Sequence, residues 1–294
     1  MAQSFAKNVS ISVISATILL VNVITLIGLF CSKKLRKEKP FAITASIFLG
    51  DALKGLVFVT AGSYFYWTYT GQATMSLVLM KTQMMNMVGH WVSGCSILFL
   101  ALFKTVAIVA PIWYQQKVCR RHINVAVAGC WLFALGYTIR VWFIPVYFDE
   151  VAYTLITENT RYSVFIGVAA FGTVCCLHVT ILIAVARQKW KMRHTVAGLN
   201  PPQNPILKAF KMSKAELTLG AVYLCMVLPS LVILGTVQGP EVKFVCMWII
   251  HCESIVNSLV YMAFKHEVLK GLKVALRCCK GTQVAPVEPP LPLQ

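Results

Sequence analysis

Charged residues are scarce in this chain, and acidic ones are the scarcest. Of its 294 residues only 13% are charged and 10 are acidic, whereas 58% are hydrophobic. Soluble proteins average about 25% charged residues, so the composition argues against one or two soluble domains. The net charge of +17 would suit nucleic acid. The basic residues, however, lie in short segments beside apolar runs, and we therefore assign them to anionic lipid headgroups.

The chain also lacks the patterns that accompany disulfides, metals or catalysis. Most of its 11 cysteines lie within or at the ends of apolar runs, and there is no Cys-x-x-Cys pair or Cys/His cluster. We find no nucleophile–base arrangement and no phosphate-binding loop, so we expect neither enzyme activity nor a cofactor. Internal repeats with inverted pairs of broken helices, which many transporters have, are absent as well.

Long apolar runs are what the sequence has in abundance. Seven are long enough to cross a bilayer, which takes about 20 residues. These predicted spans are residues 11–31, 41–66, 75–110, 123–148, 162–186, 215–236 and 244–264. Lysine and arginine concentrate after spans one, three and five, whereas the alternate segments hold only Lys7, Arg161 and Lys243. The positive-inside rule therefore predicts an all-α, multi-pass protein of the plasma membrane, with its N-terminus extracellular and its C-terminus cytoplasmic.

Shorter segments flank the predicted seven-helix domain of residues 11–264. Residues 1–10 form a short extracellular N-terminus, in which Asn8 begins an Asn-x-Ser glycosylation pattern. Over residues 265–280, apolar positions recur at helical spacing with lysine and arginine between them. This pattern predicts a short amphipathic eighth helix on the cytoplasmic membrane surface. We expect the proline-rich residues 281–294 to be a disordered tail.

Polar side chains occur inside several apolar runs, where they are costly unless they face protein or water. Asn22 lies in the first span, Asp51 and Lys54 three residues apart in the second, and Glu253 and Asn257 four apart in the seventh. Placed together, these groups would satisfy one another. One interpretation is a structural polar core that pins the helices together. Others are a rearranging centre that couples two faces of the bundle, and a proton relay in a transporter.

The third span carries a second polar group. Asn86 and His90 lie on or near one helical face, with Trp91 beside them. His90 is either a hydrogen-bonded interior histidine or a ligand-binding group. In the sixth span, Pro229 indicates a kinked helix.

Several of these positions resemble motifs of the rhodopsin-like (class A) G-protein-coupled receptors. Asn22 falls where that family has its first-helix asparagine, and Asp51 where it has the sodium-site aspartate of the second helix. Residues 103–114 are similar to the stretch that begins with the third-helix Asp-Arg-Tyr triplet. Trp131 and Pro229 match the fourth-helix tryptophan and the sixth-helix proline. The resemblance covers nearly the whole chain and implies a seven-helix receptor.

The end of the chain carries the same resemblance. Residues 257–261 are similar to the seventh-helix Asn-Pro-x-x-Tyr motif, with Ser258 in place of the proline and Tyr261 at its end. The surface helix that follows ends in Cys278 and Cys279, which resemble the palmitoylated cysteines of the family.

Other positions depart from the family pattern. Lys104 replaces the arginine of the triplet, keeping a cation without the planar fork of a guanidinium. Val227 stands in place of the toggle tryptophan of the sixth helix. Lys54 and Glu253 are additions near the sodium-site aspartate. We expect Lys54 to replace the ion as the counter-charge of Asp51, so that a sodium ion at Asp51 is only an alternative.

The resemblance implies a receptor that converts binding of an extracellular small molecule or short peptide into activation of a heterotrimeric G protein. The expected partners are that G protein, an unidentified ligand and the lipid bilayer, and not nucleic acid. The predicted ligand-binding residues are Asn86, His90, Trp91, Trp248 and His251. The predicted activation and polar-core residues are Asn22, Asp51, Lys54, Glu253, Asn257, Tyr261 and Pro229.

We further predict that Lys104 contacts the G protein and that Cys278 and Cys279 are lipidated. Two alternative functions stay open. One is a small membrane transporter that uses Asp51, Lys54 and Glu253 as a charge relay. The other is a non-signalling seven-helix partner of other receptors.

Overall fold

The computed structural model describes residues 2–67, 72–142, 165–170, 172–187, 190, 214–236 and 240–279. These residues are almost entirely helical, and none of them forms a strand. The all-α prediction is therefore confirmed for this part of the chain. The predicted disordered tail, residues 281–294, and most of the basic segment between the predicted fifth and sixth spans lie outside the described residues.

Long helices overlap each of the predicted spans. They are α1 (Ala2–Cys31), α3 (Phe41–Trp67), α4 (Gln72–Val109), α6 (Arg120–Trp142), α7 (Phe165–Arg187), α8 (Lys214–Thr236) and α9 (Pro240–Phe264). Three shorter helices are α2 (Lys33–Lys37), α5 (Pro111–Lys117) and α10 (His266–Cys279). The first helix begins well before residue 11, because no glycine or proline interrupts residues 2–10. Residues 2–10, which the sequence suggests as part of a separate N-terminus, thus form the first turns of α1.

Among the described residues, four helical segments are long and apolar enough to cross a membrane, and the seven spans stay a prediction. They are Ser12–Cys31, Met85–Val109, Arg120–Ile139 and Phe165–Arg187. Large apolar side chains also lie on the surface of these helices: Phe165 is 74% exposed, Leu132 70% and Val125 65%. Soluble proteins seldom expose large contiguous apolar patches. An apolar surface around a core that holds charged residues is compatible with a membrane protein.

In two places among the described residues, a glycine on one helix faces a glycine on another. Gly50 on α3 faces Gly89 on α4, and a Cβ atom on Gly89 would lie only 2.5 Å from the Gly50 carbonyl oxygen. On α10, a Cβ atom on Gly271 would overlap the carbonyl oxygen of Gly28 on α1. Because glycine has no Cβ, the backbones of α3 and α4, and of α1 and α10, can come this close.

Basic side chains tie together the elements at one end of the helices. We call this end, which comprises α2, α5, the first turn of α6 and α10, the basic end. Lys39, between α2 and α3, donates hydrogen bonds to three carbonyl oxygens. They belong to Tyr114, Gln115 and Val118, at 3.3, 3.1 and 2.8 Å. Arg120 Nη2 donates to the carbonyl oxygens of Arg36 and Lys37, both at 3.2 Å.

Ion pairs attach α10 to the same end. Lys265 Nζ lies 3.4 Å from Glu38 Oε2, and Glu267 Oε1 lies 3.2 Å from Lys34 Nζ and 3.1 Å from Lys270 Nζ. The hydrogen bonds from Lys270 and Lys34 hold the pKa of Glu267 below its usual range. The centre of the α10 apolar face, at Val268, is buried against α1. Both packing and charge pairs thus hold α10 against the rest of the protein.

Candidate functional site

A buried lysine on α3 lies between two buried carboxylates. Lys54 Nζ is 2.6 Å from Asp51 Oδ1 on the same helix and 3.6 Å from Glu253 Oε2 on α9. The three side chains, which we call the charge triad, are each at most 1% exposed. Burying an ion costs several kcal/mol unless opposite charge and hydrogen bonds compensate for the lost water. Each member of the triad therefore depends on the others.

Helix α4 contributes a hydrogen bond to the triad. Ser93 Oγ lies 2.6 Å from Asp51 Oδ1 and 3.1 Å from the Ile47 carbonyl oxygen. The close approach of α3 and α4 at Gly50 and Gly89 brings this hydroxyl within reach. The other carboxylate oxygen of Asp51, Oδ2, is buried without a hydrogen-bond partner among the described residues. The site therefore has a spare acceptor.

Asn22 joins α1 to α9 beside the triad. Its Nδ2 donates to the carbonyl oxygen of Ser254 at 3.3 Å, and its Oδ1 accepts a hydrogen bond from Ser258 Oγ at 2.8 Å. Asn257, which directly precedes Ser258 on α9, donates from Nδ2 to Oε1 of Glu253, one turn earlier. The structure thus brings Asn22, Glu253 and Asn257 into one buried polar group with Asp51 and Lys54. We call this group, with Ser93, Ser254 and Ser258, the polar centre.

The sequence did not lead us to expect Ser93 and Ser258 in the polar centre. Ser258 occupies the position where the resembled motif has proline, and this substitution supplies a hydroxyl for Asn22. Serine has a hydroxyl that can donate a hydrogen bond, whereas proline lacks even a backbone N–H. This difference from the motif was the signal that could have identified Ser258. Ser93 lies three residues after His90 in the sequence, on or near the polar face of α4. Its pairing with α3 depends on the rotation of the two helices, which periodicity alone does not fix.

Two further predicted core residues lie away from the charge triad. Tyr261 lies two turns beyond Glu253 along α9, where its ring packs at 5.1 Å against Phe48 on α3. Pro229 lies inside α8 and is exposed. Neither position is brought to the triad, and their roles in activation stay predictions.

The predicted ligand-binding residues separate into two groups. His90 and His251 lie close enough to the Lys54 ammonium to interact with it electrostatically. Asn86 lies one turn before His90 on α4 and is 5% exposed, and its buried Oδ1 has no hydrogen-bond partner among the described residues. Trp248 is half-buried on α9, one turn before His251. These four residues lie on the two helices that border the triad.

Trp91 faces a different helix. Its ring packs edge-to-face against Phe133 at 5.5 Å and lies 5.2 Å from the ring of Tyr137, both on α6. Aromatic pairs in this geometry are stabilising beyond the area they bury. The structure therefore gives Trp91 a packing contact between α4 and α6, apart from His90 and His251.

The remaining predicted residues lie towards the ends of the chain or the helices. Lys104 lies near the end of α4 and is only 9% exposed. Cys278 is exposed in the last turn of α10, whereas the side chain of Cys279 lies outside the described residues. Asn8 lies within the backbone of α1, and its side chain too is not described. Nothing in these positions tests G-protein contact, lipidation or glycosylation.

The charge triad does not fit a bound cation. A sodium ion at Asp51 would lie beside the Lys54 ammonium, which already contacts the same carboxylate at 2.6 Å. Within the described ranges, no group of three or more histidine, cysteine, aspartate or glutamate residues has the arrangement of a metal site. The ammonium group thus stands where the sequence resemblance would place an ion.

Comparison with known proteins gives no family assignment. The sequence matches no protein-family model and no curated protein. The function is therefore argued from the polar centre, the helical fold and the sequence motifs.

Proposed function

We propose that the chain is a seven-span plasma-membrane receptor of the rhodopsin-like type, whose basic end faces the cytoplasm. It would convert binding of an extracellular small molecule or short peptide into activation of a heterotrimeric G protein. The observation that carries this proposal is the polar centre, in which α1, α3, α4 and α9 meet through buried hydrogen bonds and ion pairs. A purely structural core needs only one arrangement in which every polar group has a partner. In this core Lys54 can pair with either of two carboxylates.

Lys54 supplies the main alternative. Its ammonium is 1.0 Å closer to Asp51 than to Glu253, as the distances of 2.6 and 3.6 Å show. A small movement of α9 relative to α3 would bring the Lys54 ammonium closer to Glu253 than to Asp51. The three charged groups would stay together throughout this movement. A ligand that binds one arrangement better than the other shifts the population between them. His90 and His251, which interact electrostatically with Lys54, are the side chains through which such a ligand would act.

In this proposal, the contacts at the basic end hold the resting state of the receptor. Lys39 and Arg120 join α2 to α5 and α6 through backbone carbonyls, and Lys265 pairs with Glu38. Lys104 is 91% covered. A G protein can contact Lys104 only after the helices separate at this end. Ligand binding would favour that separation. Lys104 would then contact the G protein in place of the arginine of the third-helix triplet.

Measurement of G-protein activation in cells tests this proposal. Cells would express the chain or its Lys104→Ala variant with each class of heterotrimeric G protein, without ligand and with a broad panel of small molecules and peptides. We expect activation that the variant loses. Lys117→Ala is the matched control, because this exposed lysine ends α5 at the same end of the protein. Activation retained by Lys104→Ala, or lost equally in the control, would contradict the assigned role of Lys104.

The charge triad also favours a second candidate, a small membrane transporter. An ammonium group lies between two buried carboxylates, each with an oxygen that accepts no hydrogen bond from the described residues, and such an arrangement can pass a proton. A transporter would move solute or protons across proteoliposomes, with loss of flux in Lys54→Met. A receptor would show G-protein activation and no such flux. A non-signalling partner would show neither.

A further inference from the structure

A groove of about 660 Å³ opens at the basic end between α1, α2, α3 and α6. Its lining residues are Phe30, Lys33, Arg36, Lys37, Phe41 and Arg120. Four of these six are cations, and none is acidic. Such a concentration of one charge in a small concave surface attracts anions.

The groove is held in shape by contacts among its own lining residues. Arg120 Nη2 donates to the carbonyl oxygens of Arg36 and Lys37, which fixes the end of α2 against the start of α6. The rings of Phe30 and Phe41 meet edge-to-face at 5.3 Å. All four cationic side chains, those of Lys33, Arg36, Lys37 and Arg120, are exposed. The groove therefore combines a fixed frame with charged groups that remain accessible.

An exposed apolar stripe runs along α1 from the groove. It consists of Leu20, Val23, Ile27 and Phe30, which are 60%, 37%, 41% and 52% exposed. Their spacing of three, four and three residues places them on one face of the helix. The aromatic wall of the groove is thus continuous with a surface that suits hydrocarbon.

We propose that this groove binds the headgroup of a polyanionic phospholipid, while an acyl chain of the same lipid lies along the stripe on α1. The cations match a headgroup with several negative charges, and lysine and arginine near a membrane surface attract anionic lipid. Contact between the apolar stripe and the acyl chain should make the lipid bind more tightly than a soluble phosphate compound, which has no acyl chain. This proposal needs the membrane character of the chain but does not depend on G-protein coupling.

The test is a lipid titration of the full-length protein followed by native mass spectrometry. The probes are phosphatidylinositol bisphosphate, phosphatidylcholine and soluble inositol trisphosphate. We expect saturable binding of the first and at least tenfold weaker binding of the other two. Arg36→Gln/Lys37→Gln should weaken binding of phosphatidylinositol bisphosphate on the order of 30-fold, since each cation near the surface contributes independently.

Lys273→Gln/Arg277→Gln is the matched control. It removes the same number of positive charges from exposed positions on α10, outside the groove. We expect it to change the affinity by less than about threefold. Thermal unfolding without added lipid checks that both variants are folded. Equal losses in the two variants would show general attraction to a basic surface and overturn the proposal. Inositol trisphosphate binding as tightly as the lipid would overturn the role of the α1 stripe.

Discussion

Removing the charge of Lys54 should destabilise the protein far more than removing a surface lysine. Lys54→Met is the informative change, because methionine has a similar length and fills most of the volume of this buried side chain. It leaves Asp51 and Glu253 buried without their cation. Removing one partner of a buried ion pair costs about 3 to 5 kcal/mol. We expect the free energy of unfolding to fall by about that amount.

Reversible unfolding in mixed detergent micelles, followed by tryptophan fluorescence, measures this loss. The control is Lys34→Met, which removes the exposed ion pair with Glu267, where the lysine side chain is 71% exposed. Exposed pairs contribute little, so this variant should unfold close to the wild type.

A compensating variant separates charge from packing. Lys54→Met combined with Asp51→Asn and Glu253→Gln neutralises the whole triad, which often costs little once no charge remains unpaired. It should recover most of the lost stability. The reasoning would be refuted if Lys54→Met unfolded within about 0.5 kcal/mol of the wild type, which is ordinary for a surface change. It would also be refuted if the triple variant were no more stable than the single one.

Two further predictions concern the attachment of α10. Gly271→Ala should loosen α10 from α1, because the new Cβ would overlap the carbonyl oxygen of Gly28. Hydrogen exchange of α10 amides should then increase, whereas Gly136→Ala, where a Cβ meets open space, should leave it unchanged. The pairing of Glu267 should make this attachment pH-dependent. Its pKa is lowered in the folded protein, so the stabilisation is complete above the ordinary carboxyl value of 4.5 and is lost as the pH falls through the lowered pKa. Exchange in α10, corrected for the intrinsic rate, should rise over that range, and Glu267→Gln should abolish the step.

The sequence predicted the helical fold and the grouping of Asn22, Asp51, Lys54, Glu253 and Asn257, because both follow from strong physical constraints. Long apolar runs favour helices, because a helix satisfies its own backbone polar groups in a membrane, and a charged group inside such a run must find a partner. These constraints are sufficient to group Asp51, Lys54 and Glu253. They do not reveal that Glu253 comes within 3.6 Å of Lys54, because this distance depends on how α9 packs against α3.

Details that depend on the rotation and approach of helices were beyond sequence reasoning. Trp91 follows His90 directly in the sequence, yet it packs on α6 while His90 lies near Lys54. Successive residues on a helix point about a quarter-turn apart, so neighbours in sequence readily face different helices. The groove at the basic end likewise arises from residues more than 80 positions apart, as the bond between Arg120 and Arg36 shows. Only their positive charge was visible in the sequence.

Reconstitution of the purified chain in vesicles with heterotrimeric G proteins tests the central claim most directly. In one set of vesicles, without ligand and with the panel of small molecules and peptides, nucleotide exchange on the G protein and solute or proton flux would be measured for the wild type, Lys104→Ala and Lys54→Met. The receptor account predicts nucleotide exchange above that of empty vesicles, a loss of this exchange in Lys104→Ala, and no flux. Flux that Lys54→Met abolishes, with no nucleotide exchange on any heterotrimer, would contradict the receptor account and establish a transporter.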